Sequence, residues 1–510
     1  MLYYLCVYST KGEVSLMQIG FDGNLYMQKQ KAHILERIEH SSGKLYLEFG
    51  GKLFDDHHAA RVLPGFDFNA KARLLQQLGD MAEIILCISA QDIESNKIRA
   101  DSGMTYDLDM LRLIDNLRDM GLLVSCIVIT LFDGQPSAEV FRKKLEMRGE
   151  RAYVHFPTKG YPTNVSLIVS EEGYGANQYI ETERPLVVVT APGPASGKLA
   201  TCLSQIYHEY QRGIPAGYAK FETFPVWNLS LKHPVNMAYE AATADLVDVN
   251  MIDPFHLEAY GGTTVNYNRD IEIFPVVQAI LERAAGTSSV YLSPTDMGVN
   301  MVGMCITDED VVIAAAKQEI IRRLYSAGCD YKLGRVDKAC VERIELIMSQ
   351  LGLTVEDRPV VAPALKKARE KNTPAAAILL KDGYFAVGRE TEIMSATASA
   401  VINAIKYLAG IPDNILLISP MVLEPVTDLK KKTFGARKLT LSLEEVLICL
   451  SICTATNHMA VQALNHLSEL SGCEAHVTCI IPDTDEKTMR KLGVHITCEP
   501  VFAGKDLFYE

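Results

Sequence analysis

The sequence contains no apolar stretch long enough to cross a membrane. Such a helix needs about 20 consecutive apolar residues, and the apolar start of the chain, Leu2–Tyr8, falls far short of that. No basic region precedes this stretch, so it does not have the pattern of a secretory signal peptide. We therefore predict a soluble protein of the cytoplasm with no membrane partner.

Paired cysteines and a basic surface are absent as well. The 12 cysteines are scattered without a C-x-x-C pair, and several, such as Cys87 and Cys126, lie inside apolar runs where buried reduced thiols are typical. This pattern indicates a reducing compartment and no zinc site. The net charge of −13 and the lack of a basic run flanked by aromatic residues predict that the chain does not bind nucleic acids.

What the chain does have is length and a globular composition. Of its 510 residues, 48% are hydrophobic and 22% are charged, which is enough for several folded domains. Apolar runs such as AEIILCISA (82–90) and LLVSCIVIT (122–130) alternate with segments of helical spacing. The alternation predicts an α/β fold with a doubly wound, mostly parallel sheet.

The same patterns predict the domain organisation. Residues 1–16 are expected to be an extension before the first domain. The domains that follow are an N-terminal α/β phosphate-binding region at 17–300, divisible into 17–184 and 185–300, a helical connector at 301–357 and a second α/β domain at 358–510. The polar segment 217–275 shows little periodicity, and we expect its loops to carry function because long loops without a task are uncommon.

The clearest functional signal is the segment PLVVVTAPGPASGKLATC (185–202). The segment is predicted to consist of a buried strand, then a loop, and then an amphipathic helix that begins at Lys198. A helix N-terminus presents unpaired N–H groups and the positive end of its dipole, so it binds anions. Gly193, Ser196, Gly197 and Lys198 are therefore predicted to bind the phosphate of a nucleotide or phosphorylated metabolite.

The loop departs from the strict phosphate-binding pattern G-x-x-x-x-G-K-[ST]. Pro192 stands where the first glycine belongs, and Leu199 replaces the hydroxyl residue that normally binds magnesium. Thr201 or Ser196 could supply this hydroxyl only in an altered geometry. The variant resembles the loops of CTP-synthetase-like and dethiobiotin-synthetase-like ligases, and ATP and Mg²⁺ are the expected cofactors. The alternative is a plain strand–helix turn with a solvated Lys198.

Acidic and histidine residues gather in the polar segment. Asp245, Asp253 and His256 are predicted to act in catalysis, and the two aspartates also to hold a metal ion, because Mg²⁺ prefers carboxylate oxygens. Asn268 and Arg269 are predicted to bind substrate, since a guanidinium group can clamp a phosphate or carboxylate. The alternative for each is a helix cap or a turn, as the Asp-Pro pair at 253 and 254 suggests.

A third candidate is the loop after the predicted strand KLYLEF (44–49). Ligands of open α/β sheets bind at the carboxyl ends of strands. Lys52 is therefore predicted to bind substrate, and His57 to act as a general base. The alternative is that His57 and His58 form a surface histidine pair in a turn.

Several long segments of the chain form a pattern that extends well beyond one motif. They include KLYLEFGGKL, DDHHAARVLPGF, LVVVTAPGPASGKLATC, GYAKFETFPVWNL, HPVNMAYEAATADL, DVNMIDPFHLEAYG and SPTDMGVNMVG. Together they resemble an uncharacterised bacterial family, the domain of unknown function 1846 group, from Met17 to the C-terminus. The resemblance implies an intracellular bacterial protein with an α/β part, a helical part and a further α/β part, and it implies no particular reaction.

The C-terminal segments KDGYFAVG and SATASAVINAIKYLAG also bear a faint resemblance to a structural layer found in proteins of the cytidine deaminase type. The zinc-binding H-x-E is absent at Ser395–Thr397, and no P-C-x-x-C follows. Zinc-dependent deamination is therefore not predicted, and this domain is expected to serve packing or assembly.

Taken together, these patterns predict an ATP-dependent transferase or ligase that acts on a phosphorylated small molecule. The alternative is a non-enzymatic assembly protein in which a phosphate or nucleotide has a structural role. Copies of the chain are expected to associate as a homo-oligomer. The missing magnesium hydroxyl favours the alternative, and the polar segment 217–275 favours the enzyme.

Overall fold

The structure is a computed structural model, which describes residues 19–504 apart from 42, 100–102 and 437. It also describes the backbone of two short antiparallel strands, β1 (Val7–Tyr8) and β2 (Val14–Ser15). The remainder of the predicted extension at 1–16 lies outside the described residues. Within the described part of the chain, no helix is long and apolar enough to cross a membrane.

The chain divides into two compact units by its internal contacts. The N-terminal unit comprises Gly20–Glu240 and Asp248–Val312. The C-terminal unit comprises Ile313–Glu510 together with Ala241–Val247 and Met1–Ile19. The two units are defined only by contacts between residues. They do not test the domain bounds predicted from the sequence, which stay a prediction.

The N-terminal unit is built, within the described residues, on a seven-stranded sheet. Its strands, in their order across the sheet, are β11 (Gly298–Val299), β8 (Gly217–Phe221), β3 (Leu45–Phe49), β7 (Leu186–Thr190), β4 (Ala82–Ser89), β5 (Leu123–Thr130) and β6 (Ala152–Val154). Neighbouring strands are parallel throughout. A separate antiparallel hairpin consists of β9 (Asn250–Ile252) and β10 (Val265–Tyr267).

Helices connect these strands and cover the sheet. They are α1 (Gly23–His40), α2 (His57–Val62), α3 (Ala70–Leu78), α4 (Ala90–Glu94), α5 (Tyr106–Asp119), α6 (Pro136–Met147), α7 (Val165–Ile168), α8 (Lys198–Gln211), α9 (Pro234–Ala242), α10 (Pro254–Tyr260), α11 (Asn268–Ala285) and α12 (Pro294–Met297). On one face of the sheet Val189 shares a core with Leu203 of α8 and Phe274 of α11. The alternate residues, such as Val188, are buried as well. Strands buried on both faces suit continuous aliphatic runs, and the predicted α/β fold with a parallel sheet is confirmed.

The polar segment 217–275 is largely regular structure, so the expectation of loops holds only for stretches such as 222–233. It contributes β8 inside the main sheet, the β9–β10 hairpin, α9, α10 and the start of α11. β8 escapes a pattern search because GYAKF has only five residues and includes a glycine and a lysine. The polar side chains of this segment therefore stand mostly on strands and helices.

The C-terminal unit contains a separate mixed sheet, which has four strands within the described residues. Their order is β13 (Phe385–Arg389), β12 (Ala375–Leu379), β14 (Glu474–Val477) and β15 (His495–Cys498). β12 is antiparallel to both of its neighbours, and β14 is parallel to β15. The helices are α13 (Glu309–Lys332), α14 (Lys338–Gln350), α15 (Val361–Arg369), α16 (Ala396–Leu408), α17 (Pro420–Lys432), α18 (Leu443–Cys453), α19 (His458–Asn465) and α20 (Asp483–Lys491).

A hydroxyl–carboxylate cluster occupies the start of α16, where the sequence lacks the deaminase H-x-E. Ser395 and Thr397 both donate hydrogen bonds to the buried carboxylate of Asp485, and the bond from Ser395 is 2.8 Å long. Asp485 also accepts a hydrogen bond from the N–H of Leu443 at 2.8 Å. The carboxylate therefore joins the starts of α16, α18 and α20, which is a structural role.

A buried histidine after β6 makes the stability of the N-terminal unit depend on pH. Burial lowers the pKa of His155 to about 4. Because the unfolded chain then binds the proton more readily, acidification from about pH 6.5 to about pH 5 should lower the free energy of unfolding by about 2 kcal/mol. Denaturant titrations at both pH values should show a smaller decrease in the free energy of unfolding for His155→Gln than for the wild type. The control His40→Gln, which alters an exposed ring on α1, should show the full decrease. The same pH dependence in all three proteins would contradict this role.

Candidate functional site

The chain leaves the neighbouring strands β3 and β7 in opposite directions across the sheet. β7 lies between β3 and β4, so the connection from β3 to β4 passes β7, while the connection from β7 to β8 passes β3. Since such crossovers are right-handed, the loops after these two strands lead to opposite faces. Ligands of open α/β sheets bind in the crevice between diverging loops of this kind. The topology therefore favours the loops after β3 and β7 as a ligand site.

The loop 191–197 leads from β7 into α8, and the four residues predicted to bind phosphate lie together at its end. Gly197 occupies the N-cap of α8 with a φ of +77° and, as a glycine, has no side chain that could cap the helix. The N–H groups of the first turn are therefore left for a ligand or water. Ser196 donates a hydrogen bond to the carbonyl of Gly193 (3.0 Å), and the ammonium group of Lys198 is 3.4 Å from the hydroxyl of Ser196.

Neighbouring elements fix the shape of this loop. A Cβ atom on Gly193 would lie 2.5 Å from the ring of Tyr106, and one on Gly197 would lie 2.8 Å from the side chain of Thr130. The hydroxyl of Thr130 also donates a hydrogen bond to the carbonyl of Ser196 (2.8 Å). Packing therefore holds the loop before any ligand binds, and such pre-organisation reduces the entropic cost of binding.

The usual magnesium-binding hydroxyl has no equivalent on α8. Leu199 stands in its place. Thr201 is fully buried, and its hydroxyl accepts a hydrogen bond from the thiol of Cys87 at 3.5 Å. Thr201 therefore does not fit as a ligand of a metal ion beside the phosphate.

A lysine surrounded by carboxylates lies at the same edge of the sheet. Lys220, on β8, is 2.8 Å from the carboxylate of Glu222 and donates a hydrogen bond to Asp270 in the first turn of α11. Glu48, on β3, is the cross-strand neighbour of Lys220 and accepts a hydrogen bond from the hydroxyl of Tyr218 at 2.8 Å. Burial alone would lower the pKa of Lys220, but the three carboxylates outweigh burial and raise it. We call Glu48, Lys220, Glu222 and Asp270 the lysine cluster.

Glu48 links the lysine cluster to the phosphate loop. In the sheet it pairs with Val189 of β7 on one side and with Lys220 of β8 on the other. β3, which carries Glu48, therefore lies between β7, which leads into the loop 191–197, and β8, which carries Lys220.

Aromatic side chains adjoin the lysine cluster. The rings of Phe224 and Tyr239 stack with their centroids 5.1 Å apart, and His58 meets both edge-on at 5.5 and 5.6 Å. Tyr267 lies 5.6 Å from Tyr239. Burial raises the pKa of both tyrosines, and the charge of Glu222 adds to the effect. The phenol groups therefore stay protonated at neutral pH.

The loop after β3 exposes the residues that were predicted to act there. Lys52 and His57 are both exposed, and the ring of His57 packs against Phe68 at 5.4 Å. The buried charge of this loop is Asp56, which pairs with Lys71 at 2.9 Å. The substrate-binding role of Lys52 and the catalytic role of His57 stay predictions.

Asp253 is fully buried, and its carboxylate is already occupied. It caps α10 by accepting hydrogen bonds from two N–H groups of the first turn (3.0 Å each), and it also accepts from Asn266 (3.1 Å) and Thr295 (2.8 Å). These bonds explain Asp253 as a cap of α10 and an anchor of β10. His256, in α10, lies 3.2 Å from the hydroxyl of Ser293.

The residues predicted to bind magnesium do not fit a metal site in this structure. Asp245 is exposed in the short helix Ala244–Leu246. Asp253 already accepts hydrogen bonds from four donors. Across the part of the chain that the structure describes, no group of three or more His, Cys, Asp or Glu side chains could hold a metal ion.

The predicted substrate-binding pair at the start of α11 is engaged within the protein. Arg269 forms a bidentate ion pair with Asp248, with N···O distances of 2.6 and 2.7 Å. The side chain of Asn268 accepts a hydrogen bond from the N–H of Val249 at 3.1 Å. The Arg269 side chain is nevertheless 54% exposed, so the substrate-binding role stays a prediction.

The sequence patterns did not reveal Lys220 and Glu222. Both lie in GYAKFETF (217–224), where charged and apolar residues alternate. A period of two indicates a strand with one polar side, but β8 is too short for this signal to stand out. A lysine inside a strand-like run, with a glutamate two residues later on the same side, is the feature that could have indicated the site.

A cavity of about 440 Å³ lies in the C-terminal unit among α13, α14 and α15. Its lining is mainly apolar, with Leu324 and Val341 as examples. The charged groups Glu345 and Lys366 on its rim are exposed and of opposite sign. The edge of the parallel sheet combines buried charge with a fixed loop, so we place the candidate site there.

Comparison with protein families accounts for most of the chain. Residues 19–352 match the N-terminal family model and residues 356–508 the C-terminal family model of the domain of unknown function DUF1846. The chain belongs to the DUF1846 family. The match confirms the resemblance carried by the sequence segments.

Relatives of this DUF1846 chain are bacterial proteins named UPF0371 protein. Those of Clostridium botulinum strain Alaska E43 and strain Eklund 17B are each 56% identical over 501 residues, which cover 97% of this chain and 100% of the relative. That of Clostridioides difficile strain 630 is 54% identical with the same coverage. These names assign no activity, so the DUF1846 match leaves the reaction to be argued from the site.

Proposed function

We propose that the chain binds a phosphorylated small molecule, such as the nucleotide ATP, at the loop 191–197 and the start of α8, and that it acts as an ATP-dependent transferase or ligase. The observation that carries this proposal is the uncapped start of α8. Gly197 holds the N-cap and has no side chain that could bond the N–H groups of the first turn. This helix begins at the edge where sheets of this kind bind ligands.

Three features of the helix start favour an anion. The N–H groups of the first turn face outward along the axis, and the positive end of the helix dipole adds to them. Lys198 contributes a full positive charge from a half-buried position. Contacts with Tyr106 and Thr130 fix the loop, so binding needs little further ordering. Together these features favour a phosphate ester over a neutral ligand.

The lysine cluster favours a chemical reaction over binding alone. Buried charges are costly to stability, and groups with perturbed pKa values at a ligand-binding edge are typical of active sites. Lys220 and Glu222 are of this kind. A transferase or ligase needs groups that move protons between its reactants. We propose no step on a metal ion, because Leu199 has no ligand atom, the buried hydroxyl of Thr201 bonds Cys87, and the hydroxyl of Ser196 bonds Gly193 and lies 3.4 Å from the ammonium group of Lys198.

A structural phosphate site in an assembly of several copies is the second candidate. One observation favours it, namely the leucine at position 199 where nucleotide-hydrolysing loops have a hydroxyl residue. In that case ATP should change the mass of the particle, measured by size-exclusion chromatography with light scattering, without being consumed. Turnover of ATP at an unchanged mass would favour the enzyme.

A bound phosphorylated ligand should raise the melting temperature of the wild type but not of Lys198→Ala. A ligand at about 100 times its dissociation constant stabilises a protein by about 2.7 kcal/mol. Removing the ammonium group weakens binding, because an anion then depends on the helix N-terminus alone. A thermal-shift screen of nucleotides and phosphorylated metabolites, with and without Mg²⁺, measures this difference.

The matched control is Lys143→Ala, which removes an exposed lysine from α6 of the same unit and should keep the full shift. Equal shifts in the wild type and Lys198→Ala would contradict the assignment of Lys198 to the ligand. No shift with any ligand of the panel would contradict the proposed function as a whole.

A further inference from the structure

Three carboxylates share one ammonium group in the lysine cluster. Lys220 contacts Glu222 at 2.8 Å and also contacts Asp270, and the charge of Glu48 acts on it as well. One positive charge does not balance three negative charges in a buried site, so one carboxyl group is expected to keep a proton. The surroundings of each carboxyl group indicate which one it is.

Glu222 is the most deeply buried of the three carboxyl groups, since Glu48 and Asp270 are both half-buried. Glu48 accepts a hydrogen bond from Tyr218, and Asp270 lies in the first turn of α11, where the helix dipole favours an anion. Glu222 is only 6% exposed. Burial raises the pKa of Glu222, the charge of Lys220 opposes this, and the charge of Asp270 adds to the rise.

Other titratable and charged groups face the lysine cluster from the elements packed around it. They are Tyr239 of α9, Tyr267 of β10 and the ion pair of Asp248 with Arg269 at the start of α11. Burial raises the pKa of both phenol groups, so they titrate well above neutral pH. Because His58 of α2 also packs against Tyr239, the comparison of the wild type with Glu222→Gln, and not the titration of the wild type alone, isolates the contribution of Glu222.

We propose that Glu222 donates a proton to the phosphorylated ligand and that Lys220 is the positioning residue that stays beside it. The proton passes from a carboxyl oxygen of Glu222 to an oxygen of the ligand. The ammonium group of Lys220 compensates the carboxylate that remains, and the reverse transfer restores the site. This proton transfer rests on the proposed function, because it requires a phosphate held at the loop 191–197. Glu48 pairs with β7, which leads into that loop, and with β8, which carries Lys220.

The first test measures whether Glu222 keeps its proton, and it needs no ligand. A carboxyl group whose pKa is raised by folding contributes stability at low pH, which is lost as the pH rises through the folded-state pKa. We expect the melting temperature of Glu222→Gln, relative to that of the wild type, to increase between about pH 5 and about pH 8, because glutamine has no proton to lose. Glu272→Gln, which alters an exposed side chain of α11, should show a constant difference. A constant difference for Glu222→Gln would overturn the inference.

The second test measures proton transfer to a ligand, with inorganic pyrophosphate as the probe. The ratio of the dissociation constant of the wild type to that of Glu222→Gln should rise with pH, approaching about tenfold per pH unit once Glu222 is ionised. Lys220→Met should move the start of this rise to higher pH, an effect that a purely structural role would not produce. A ratio that stays constant with pH would overturn the inference.

The two tests separate the possible failures. Pyrophosphate that binds neither protein at any pH would overturn the transfer to a ligand, whereas the proposed function is overturned only if the whole panel of nucleotides and phosphorylated metabolites also gives no thermal shift. The melting temperatures would still show in that case whether Glu222 keeps a proton. Pyrophosphate binding that Lys198→Ala abolishes, combined with a constant ratio, would support the phosphate site and overturn the role of Glu222.

Discussion

Replacing Glu474 by glutamine is expected to lower the free energy of unfolding of the C-terminal unit by about 3–5 kcal/mol. Glu474 begins β14 and pairs with the guanidinium groups of Arg322 (2.6 Å) and Arg358 (2.7 Å). Arg358 is fully buried, and Arg322 has Glu319 as its second partner at 2.7 Å. Glutamine keeps the shape of the side chain but removes its charge, so two buried guanidinium groups are left with one carboxylate.

The arrangement of this network explains the size of the effect. Burial alone would raise the pKa of Glu474, but the two guanidinium groups outweigh burial and hold it far below its usual value. Arg358 also donates hydrogen bonds to the hydroxyl of Thr497 (3.0 Å) and to the carbonyls of Ala475 (3.1 Å) and His495 (2.9 Å). The same guanidinium group therefore ties β14 to β15, and the loss of its counter-charge destabilises both strands.

The matched control is Glu342→Gln, which breaks an ion pair of similar length on α14. Lys338 and Glu342 are 2.8 Å apart, but their side chains are 68% and 55% exposed. Exposed pairs contribute about 0–1 kcal/mol, so little change is expected. Urea unfolding followed by circular dichroism measures both variants, and the single tryptophan, Trp227, reports on the N-terminal unit by fluorescence.

A double-mutant cycle of Glu474→Gln with Arg358→Met tests the coupling directly. In Glu474→Gln, Arg358 has already lost its counter-charge. The decreases in the free energy of unfolding of the two single variants should therefore add up to more than the decrease in the double variant. Additive losses, or equal small losses for Glu474→Gln and Glu342→Gln, would show that the pair contributes no more than a surface ion pair.

The long elements of the main sheet could be predicted because their signals are local. All eight residues of β4 are buried, and their continuous apolar run indicates a covered strand without reference to the rest of the chain. β8 and β11 lack such a signal, since β8 contains Lys220 and β11 has only two residues. Their place depends on pairing with distant segments, as in the register of Lys220 with Glu48.

The same distinction separates the predicted from the unpredicted parts of the candidate site. Gly193 and Lys198 are only five positions apart in the sequence, so a local pattern sufficed to indicate them. The lysine cluster draws its members from two strands, a loop and a helix, and only the fold brings them together. A sequence also does not show which polar groups are already engaged, as Asp253 is by Thr295 and Arg269 is by Asp248.

Replacing Gly197 by alanine is expected to destabilise the N-terminal unit by about 2–5 kcal/mol and to abolish the stabilisation by a phosphorylated ligand. The φ of +77° at this position costs a residue with a Cβ atom about 1–2 kcal/mol. The new Cβ atom would also lie 2.8 Å from the side chain of Thr130, and overpacking of this kind costs about 1–3 kcal/mol. Relief of the contact must move the loop or the end of β5, and either movement disturbs the N-terminus of α8.

Gly213, just beyond the other end of α8, provides the matched control. Its φ is +75°, and no atom lies within 4 Å of the position of its Cβ atom. Gly213→Ala should therefore cost only the conformational part, about 1–2 kcal/mol, and keep the full ligand-dependent rise in melting temperature. The difference between the two variants isolates the contact with Thr130. If Gly197→Ala were no less stable than Gly213→Ala and still responded to the ligand, the packed shape of the loop would not be what binds the phosphate.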